Sequence, residues 1–392
     1  MEFLKRSWAE INLDALEFNI QNIRRRLDPK TKLLGVVKAD AYGHGAQHVA
    51  EEMLKLGADW LGVSNAYEGI ALRKGGITDV PILNFGITPP ELAGDIAKYH
   101  ITQTVYSWEY AKALNAAAAE NQVVIDIHVK IDTGMSRIGF DGFDCDFAVS
   151  EIEKIEGLKN LNRTGIFTHF ARSDEDTPES SQYTNEQYQR FMNVCDELSK
   201  RGLELGIRHC CNSGAVLNHP EMQLDMVRPG IIMYGMHPDA TTKGKLELKP
   251  AMSLKSTVSM VKEIPAGRKV SYGGTYETTA PTRIATIPVG YADGYSRLLS
   301  NKSRVIINGC YAPVIGRVCM DQMMVDVTAV PNVVRGSEVV LAGKSGELEV
   351  TLDELGGIMG TVNYEICCIV SKRMPRVYLK NGKTIDIIDH IL

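Results

Sequence analysis

Eight short apolar runs, rich in β-branched residues, recur along the first 235 residues, and segments with helical periodicity lie between them. Helix candidates include Ala46–Leu56, Ser107–Ala119 and Thr184–Lys200. Eight strands that alternate with helices over this length are typical of a (β/α)8 barrel. The alternative is a doubly wound sheet, which usually has fewer strands and a glycine-rich loop after the first. The predicted barrel strands are Leu33–Lys38, Trp60–Ser64, Val80–Phe85, Ile101–Tyr106, Val123–Ile131, Arg163–Thr168, Ile207–Cys211 and Met226–Ile232.

The pattern changes after His237. Pro238–Lys249 is polar and irregular, which predicts a linker, and period-2 segments follow from Met252 onward. We therefore expect a barrel domain at residues 1–240 and a mainly-β domain at residues 241–392. The predicted second-domain strands are Thr257–Ile264, Arg283–Val289, Arg304–Ile307, Val325–Val327 and Glu338–Leu341.

An alternating segment also occurs at the N-terminus, at Trp8–Leu13. We expect it to pair as a strand with the second domain, and we expect a helix to start near Asp14. The residues before it, Met1–Ala9, carry charges and no apolar core, so they do not predict a secretory signal.

Composition excludes several classes of protein. The net charge of -5 over 392 residues excludes a strongly basic nucleic-acid binder. No uninterrupted apolar run reaches the length of a membrane span. The eight cysteines include no CxxC pair, which predicts free thiols in a reducing cytoplasm.

Three common functional sequence motifs are incomplete in this chain. Ala342–Ser345 resembles part of a phosphate-binding P-loop, but Glu338 stands where that loop needs glycine. His44 and His48 have the spacing of a metalloprotease pair, but Gly45 replaces the general-base glutamate. The same segment lacks the third glycine of a dinucleotide fingerprint. We expect no metal site.

Lys38 ends the first predicted barrel strand, within the segment Val36–Gly45. The carboxyl ends of barrel strands carry the chemistry of this fold. A lysine desolvated there has a lowered pKa and becomes a nucleophilic amine suited to Schiff-base chemistry. The residue type and position of Lys38 alone are equally consistent with a lysine whose side chain extends into solvent and has no catalytic role.

The segment around Lys38 resembles the pyridoxal 5'-phosphate (PLP) lysine motif of alanine racemases. The resemblance extends over nearly the whole chain, and the matching segments follow in the family's order and domains. The others are Lys130–Phe140, Thr168–Ala171, Asn212-Ser213, Val227–Ile231, Ser271–Gly274, Gly290–Gly294, Val318–Gln322 and Asn363–Glu365.

The resemblance implies interconversion of L- and D-alanine by two bases. Lys38 would hold PLP as a Schiff base and, once displaced, would act on one face of the substrate Cα. Tyr272 matches the family's acid/base on the opposite face. Because the pKa of a free tyrosine is about 10, Tyr272 needs help at neutral pH. The resemblance implies that His169, placed between Tyr272 and Arg228, supplies this help. Without the resemblance, Tyr272 is consistent with a structural role, as a half-buried aromatic residue before a Gly-Gly turn.

Arg228 matches the residue that faces the pyridine nitrogen of PLP in the family. Arginine has no acceptor and keeps its proton, so the ring nitrogen would stay unprotonated. Such a cofactor is a weaker electron sink, which disfavours transamination. His209 matches a histidine close to Arg228.

The phosphate group of PLP needs donors at short range. The resemblance implies backbone N–H groups of Gly230 and Ile231, and hydroxyl groups of Ser213, Tyr42 and Tyr364.

Arg137 would hold the substrate carboxylate with a bidentate contact. Lys130 matches a lysine that is carbamylated in some family members, where it orients this arginine. Met320 and Asp321 match residues that reach the substrate from the second domain. Four more positions match the family's substrate corridor: Asp174, Tyr291, Arg297 and Arg317.

In the family, the second domain of one subunit completes the barrel site of the other. The resemblance therefore implies a homodimer in which Lys38 and Tyr272 come from different chains, and a role in supplying D-alanine for peptidoglycan. For the physiological role, alanine catabolism is the alternative. For the substrate, the alternative is a serine or broad-specificity racemase of the same fold. A related decarboxylase usually carries glutamate in place of Arg228, and a non-enzymatic PLP-binding barrel lacks the second domain. The adjacent Cys210 and Cys211 have no explanation in this pattern.

Overall fold

The computed structural model describes residues 3–391, and these divide into two compact units. The barrel unit consists of Glu17–Ala41 and Ala46–Lys249. The β unit consists of the residues up to Leu16, the short segment Tyr42–Gly45 and the residues from Pro250 onward. No helix among the described residues is both long enough and apolar enough to cross a membrane.

The strands are β1 (Ser7–Asn12), β2 (Lys32–Val36), β3 (Trp60–Val63), β4 (Ile82–Asn84), β5 (Ile101–Val105), β6 (Ile125–Asp132), β7 (Phe140–Asp141), β8 (Leu161–Phe167), β9 (Ile207–His209), β10 (Met226–Val227), β11 (Met252–Thr257), β12 (Met260–Ile264), β13 (Lys269–Val270), β14 (Tyr276–Glu277), β15 (Thr282–Ile287), β16 (Arg304–Ile307), β17 (Cys310–Ile315), β18 (Met323–Asp326), β19 (Glu338–Ser345), β20 (Leu348–Val350), β21 (Arg376–Lys380) and β22 (Lys383–Ile388). The α-helices are α1 (Leu13–Arg24), α2 (Ala46–Lys55), α3 (Ala66–Lys74), α4 (Ala93–Lys98), α5 (Trp108–Glu120), α6 (Cys145–Ile155), α7 (Pro178–Lys200), α8 (Ser213–Asn218), α9 (Leu352–Met359) and α10 (Asn363–Cys368).

The barrel unit contains eight parallel strands in the order β10-β2-β3-β4-β5-β6-β8-β9, with short β7 beside β6. Two backbone hydrogen bonds connect the segments at β10 and β9, the first and last strands of this order. They run from Asp225 N–H to the Arg208 carbonyl (3.1 Å) and from Arg228 N–H to the Cys211 carbonyl (2.8 Å). Strands β3, β4 and β5 are wholly buried, and β2 and β6 are buried over most of their length, as expected where helices cover a parallel sheet. The predicted (β/α)8 barrel is therefore confirmed.

The β unit is built on an eleven-stranded sheet whose main path is β12-β15-β18-β17-β16-β19-β11-β1-β21-β22, with β20 beside β19. The N-terminal strand β1 pairs antiparallel with β11 and parallel with β21. This confirms the mainly-β second architecture and the pairing of the N-terminal strand with it. Helices α9 and α10 interrupt the strands, and Thr351 caps α9 by accepting the Glu354 N–H.

Several predicted boundaries were wrong, three of them for identifiable reasons. The last barrel strand stops at Val227 because Pro229 lacks an N–H group, and a 3-10 turn forms at Ile231–Tyr234. Helix α7 starts at Pro178 rather than Thr184, because Thr177 accepts the Ser180 N–H and proline suits the first helical position. The predicted strand Thr257–Ile264 spans parts of two strands: β11 ends at Thr257, and β12 begins at Met260, after Val258-Ser259.

Candidate active site

Lys38 lies two residues beyond the carboxyl end of β2 and is half-buried. The residues after it, Ala39 to Tyr42, all have φ between 51° and 54°, in the left-handed region. For residues with a Cβ this costs about 1–2 kcal/mol each. The Ala39 N–H donates to Glu68 Oε1 at 2.8 Å, which helps to hold the turn. Strain of this kind persists only where the surroundings over-determine the backbone, and it often occurs at functional sites.

Arg228 is a buried cation that the described residues surround with neutral acceptors only. Nη1 donates to His209 Nδ1 at 2.9 Å. Nη2 contacts the carbonyls of Thr168 (2.8 Å) and Cys210 (3.1 Å) and His169 Nδ1 (3.3 Å). Burial lowers the pKa of Arg228 to about 10, so it stays protonated at neutral pH.

The two histidines beside Arg228 are neutral. Burial, followed by the positive charge of Arg228, lowers the pKa of both His169 and His209 well below the usual value. Lys130, Arg137 and Lys38 also act on His169, so the barrel unit gathers the predicted cationic residues around it. Because arginine only donates, both His Nδ1 atoms must accept, and both rings carry hydrogen on Nε2.

Lys130 lies near the carboxyl end of β6, and Arg137 belongs to the loop that follows this strand. The Asp132 carboxylate accepts the backbone N–H groups of Gly134, Met135, Ser136 and Arg137 at 2.9–3.0 Å, which fixes the course of this loop. Burial alone would raise the pKa of Asp132, but these hydrogen bonds and Lys130 outweigh burial and lower it. The Arg137 residue of this loop is exposed.

Burial lowers the pKa of Lys130 to about 7, with Asp132 opposing and Arg228 and Arg137 adding to the effect. Its Nζ donates to the Ile131 carbonyl at 2.9 Å and lies 5.5 Å from the centre of the Phe167 ring. About half of such an amine is neutral, and therefore nucleophilic, at neutral pH.

Three of the five residues predicted for the phosphate group, Ser213, Gly230 and Ile231, lie at or next to the start of helix α8. Ser213 is the first residue of this helix, and its Oγ accepts the Gly230 N–H at 2.8 Å. Asn212 caps the helix by accepting the Ala215 N–H at 3.0 Å. Ser213, Gly230 and Ile231 are buried. Asp174 lies beside Gly214, and burial, with Asp239 and Glu175, raises the pKa of Asp174 to about 6.

In the β unit, Tyr272 begins a 3-10 turn and 70% of its surface is exposed. Arg317 packs against this turn: a Cβ on Gly273 would lie 2.8 Å from its Nη1. Ser271 Oγ donates to the Arg317 carbonyl at 2.6 Å. Arg317 thus lies against the turn that carries Tyr272, while Arg297 lies exposed in a separate 3-10 turn.

Tyr291 and Met320 occupy two loops that are joined backbone to backbone. Tyr291 N–H donates to the Cys319 carbonyl and Ala292 N–H to the Met320 carbonyl, both at 3.1 Å. Tyr291 is 43% exposed and Met320 is 52% exposed. Asp321, next in the chain, is bound by Arg373 at 2.8 Å. The remaining two tyrosines, Tyr42 and Tyr364, meet edge to face with ring centres 6.0 Å apart.

Sequence reasoning missed several residues that organise these groups. Asp132 fixes the Arg137 loop, and His128 contacts His209 at 2.8 Å. In the β unit, buried Asp293 binds Arg6 and the Gly290 N–H beside Tyr291. For His128 a signal existed, because it stands two residues before Lys130 on β6 and must share its face.

The donor set of the barrel unit suits PLP. Arg228 offers Nε–H besides the Nη groups, and a buried cation without a carboxylate partner fits an electron-rich ring nitrogen nearby. The neutral donors around Ser213 and Gly230 suit a phosphate group. No group of three or more histidine, cysteine or acidic side chains within residues 3–391 has an arrangement that could hold a metal ion.

Comparison with known proteins agrees with these features. Residues 11–238 match the model of the alanine racemase N-terminal domain, and residues 251–378 match that of the C-terminal domain. Alanine racemase 1 of Clostridium acetobutylicum is 47% identical over 385 residues, which cover 98% of each chain.

Solved structures agree as well. The alanine racemase of Clostridium difficile 630 superposes with a TM-score of 0.94 at 42% identity, covering 100% of both chains. An alanine racemase of Bartonella henselae with covalently bound pyridoxal phosphate superposes with a TM-score of 0.85 at 27% identity, covering 95% of this chain and 99% of that one. The chain belongs to the alanine racemase family and is an enzyme, an isomerase that acts on amino acids.

Proposed function

We propose that this enzyme interconverts L- and D-alanine with PLP as cofactor and with Lys38 and Tyr272 as the two bases. The observation that carries the proposal is the environment of Arg228, a buried cation whose described protein partners are all neutral. An arginine facing the ring nitrogen suits proton removal followed by proton return, whereas the glutamate of related decarboxylases would protonate the ring.

Bound PLP draws electrons away from the bond between the substrate Cα and its hydrogen, so that the proton can leave. Lys38 would hold the cofactor, and Arg228 would donate to the ring nitrogen. Ser213, Gly230, Ile231, Tyr42 and Tyr364 would bind the phosphate group. In the described geometry the Gly230 N–H donates to Ser213 Oγ, so Ser213 is the more direct phosphate donor of these two.

Lys38 would take or return the proton on one face of Cα, and Tyr272 on the other. His169 is neutral and carries hydrogen on Nε2, because its Nδ1 accepts from Arg228. A donor of this kind stabilises a tyrosinate, which brings the acid/base work of Tyr272 within reach of neutral pH.

Arg137 would bind the substrate carboxylate, with Met320 and Asp321 also contacting the substrate. Lys130 would orient Arg137 as a carbamate, a modification that needs a neutral amine. The pKa of about 7 for Lys130 supports this, since the neutral form is abundant at physiological pH. Asp174, Tyr291, Arg297 and Arg317 would line the path by which alanine arrives.

We propose a homodimer in which the domain at residues 241–392 completes the site of the barrel domain, residues 1–240, of the partner. The support is the exposure of Tyr272, Tyr291 and Met320, three large side chains that a monomer would leave in water. Supply of D-alanine for peptidoglycan and a cytoplasmic location both stay predictions.

The first test is formation of D-alanine from L-alanine, and the reverse, with and without added PLP. We expect Lys38→Ala to abolish activity and Tyr272→Phe to lose activity unequally in the two directions. An enzyme that binds PLP but releases no D-alanine would contradict the substrate assignment, and the same assay with serine and other amino acids would identify the substrate.

Composite sites can be tested separately by mixing. A dimer with one Lys38→Ala chain and one Tyr272→Phe chain has one intact site. Random re-association of the two variants should therefore give about one quarter of the parent activity, above the residual activity that Tyr272→Phe retains. No recovery after verified subunit exchange would refute sites shared between chains.

A further inference from the structure

A row of three side chains leads from Arg228 into the interior of the barrel. Arg228 Nη1 contacts His209 Nδ1 at 2.9 Å, and His209 Nε2 contacts His128 Nδ1 at 2.8 Å. All three side chains are buried. His209 is the last residue of β9 and His128 lies in the middle of β6, so the row connects two barrel strands.

The direction of each hydrogen bond in this row follows from the chemistry of arginine. Arg228 donates, so His209 Nδ1 is bare and accepts. The ring of His209 is neutral and must carry its one hydrogen on Nε2, which it donates to His128. Nδ1 of His128 therefore accepts, and its hydrogen lies on Nε2. Burial lowers the pKa of His128 to about 3, and Arg228 adds to the effect, so this ring is neutral as well.

Neighbouring side chains pack against both imidazole rings. His209 stacks on Phe167 with ring centres 4.7 Å apart and planes 5° apart. His128 lies 5.2 Å from the ring centre of Trp60. A Cβ on Gly165 would lie 2.6 Å from two atoms of the His128 ring, so glycine makes the room for this imidazole.

Nε2 of His128 is buried, and within residues 3–391 it has no hydrogen-bond partner. Such a group is unfavourable, and its persistence in a core calls for a reason. An apolar side chain would avoid it but would leave the His209 Nε2–H without an acceptor. His209 could then move its hydrogen to Nδ1, where it would oppose the donor on Arg228.

We propose that His128 is a positioning residue for Arg228: it accepts from His209 Nε2 and so keeps the bare Nδ1 of His209 turned to the guanidinium. The inference rests on the proposed function, because it assigns His128 the task of fixing the arginine that would face the PLP ring nitrogen. His128 itself touches neither cofactor nor substrate.

The unmodified holoenzyme provides the first test. With nine histidines in the chain, ¹⁵N-labelled histidine gives few signals, and protonated and bare ring nitrogens differ clearly in chemical shift. We expect His128 and His209 both to carry hydrogen on Nε2 at neutral pH. Hydrogen on Nδ1 of His209, or a doubly protonated ring at either position, would overturn the proposal whatever the enzyme's substrate.

Two variants provide the second test. His128→Leu removes the acceptor, whereas His128→Asn keeps an oxygen at the bonded position of Nδ1. We expect His128→Leu to lower kcat for alanine by about 5- to 150-fold, the cost of one unsatisfied buried donor, with KM nearly unchanged. His128→Asn should recover most of kcat and retain the Nε2–H signal of His209.

The outcomes separate this inference from the proposed function. A parent enzyme that fails to racemise alanine refutes the proposed function, while the ring signals still decide the hydrogen positions. An active parent whose His128→Leu variant keeps the parent kcat refutes the role of His128. Equal losses in the Leu and Asn variants, with both folded by circular dichroism, also refute it, because the acceptor would then be irrelevant.

Discussion

Asp293 is a fully buried carboxylate in the β unit, and replacing its partner Arg6 should destabilise this unit strongly. Arg6 binds both carboxylate oxygens, at 2.8 and 2.9 Å, and the Gly290 N–H donates to one of them at 3.0 Å. Arg373 Nε lies 3.5 Å away and gives weaker support. The Arg6→Ala substitution leaves the buried charge with these two remaining partners.

Removing one partner of a buried ion pair costs about 3–5 kcal/mol, because the other charge stays buried and unpaired. The Arg6 side chain is itself 25% exposed and Arg373 remains nearby, so we expect a value near the lower limit. A loss of about 3 kcal/mol corresponds to a fall in the midpoint of thermal unfolding of about 6–12 °C for a unit of this size. Because Gly290 precedes Tyr291, KM for alanine should also rise.

Differential scanning calorimetry of the holoenzyme measures this effect, with Arg304→Ala as the matched control. Arg304 also binds a carboxylate through two nitrogens, Glu354 at 2.9 and 3.1 Å, but these side chains are 41% and 29% exposed. An exposed pair contributes at most about 1 kcal/mol. If Arg6→Ala lowers the unfolding midpoint no more than Arg304→Ala does, the argument from burial is wrong.

Four further predictions concern other parts of the chain. Asp132→Ala should raise KM for alanine more than it lowers kcat, because the loop that carries Arg137 loses four backbone contacts; steady-state kinetics would check this, and an unchanged KM would contradict it. Because the pKa of Asp132 is lowered on folding, its stabilising contribution is present above the usual carboxyl pKa and is lost on acidification; the difference in unfolding free energy between parent and Asp132→Asn should therefore shrink below about pH 4. Lys130, with a pKa of about 7, should take up one CO2 per chain above pH 7 and lose it on acidification, when the amine becomes cationic; native mass spectrometry would detect it, and a bare amine in bicarbonate buffer at pH 8 would refute it. Thr177→Ala should destabilise by about 1 kcal/mol through loss of the α7 cap, whereas Thr177→Ser should not, as measured by thermal unfolding.

The sequence was sufficient for the architecture. The alternation of strands and helices predicted the barrel, and the change to period-2 segments predicted the β sheet, because both patterns follow from burying one side of a local element. Errors arose at the ends of elements. At Val258-Ser259 the backbone leaves one strand for another, bonding to Ser337 and Thr286, and no local pattern encodes that change of partners.

The site was predictable where residue type alone limits the chemistry. Lys38 after an apolar strand and Arg228 between apolar neighbours both stand out in a sequence, and the family resemblance supplied their roles. The supporting residues did not stand out. Arg6 and Asp293 lie 287 positions apart, so their bond exists only because the N-terminal strand joins the distant sheet.

Local sequence thus encodes which segments become strands and helices, since backbone preference and the periodicity of apolar side chains act over a few residues. The fold decides the protonation of its buried groups. The pKa of Lys130 near 7, the neutral state of His169 and the hydrogen positions along Arg228, His209 and His128 arise from burial and from charges brought close by distant strands. Desolvation and Coulomb interactions depend on distance in space, and only the folded chain sets that distance.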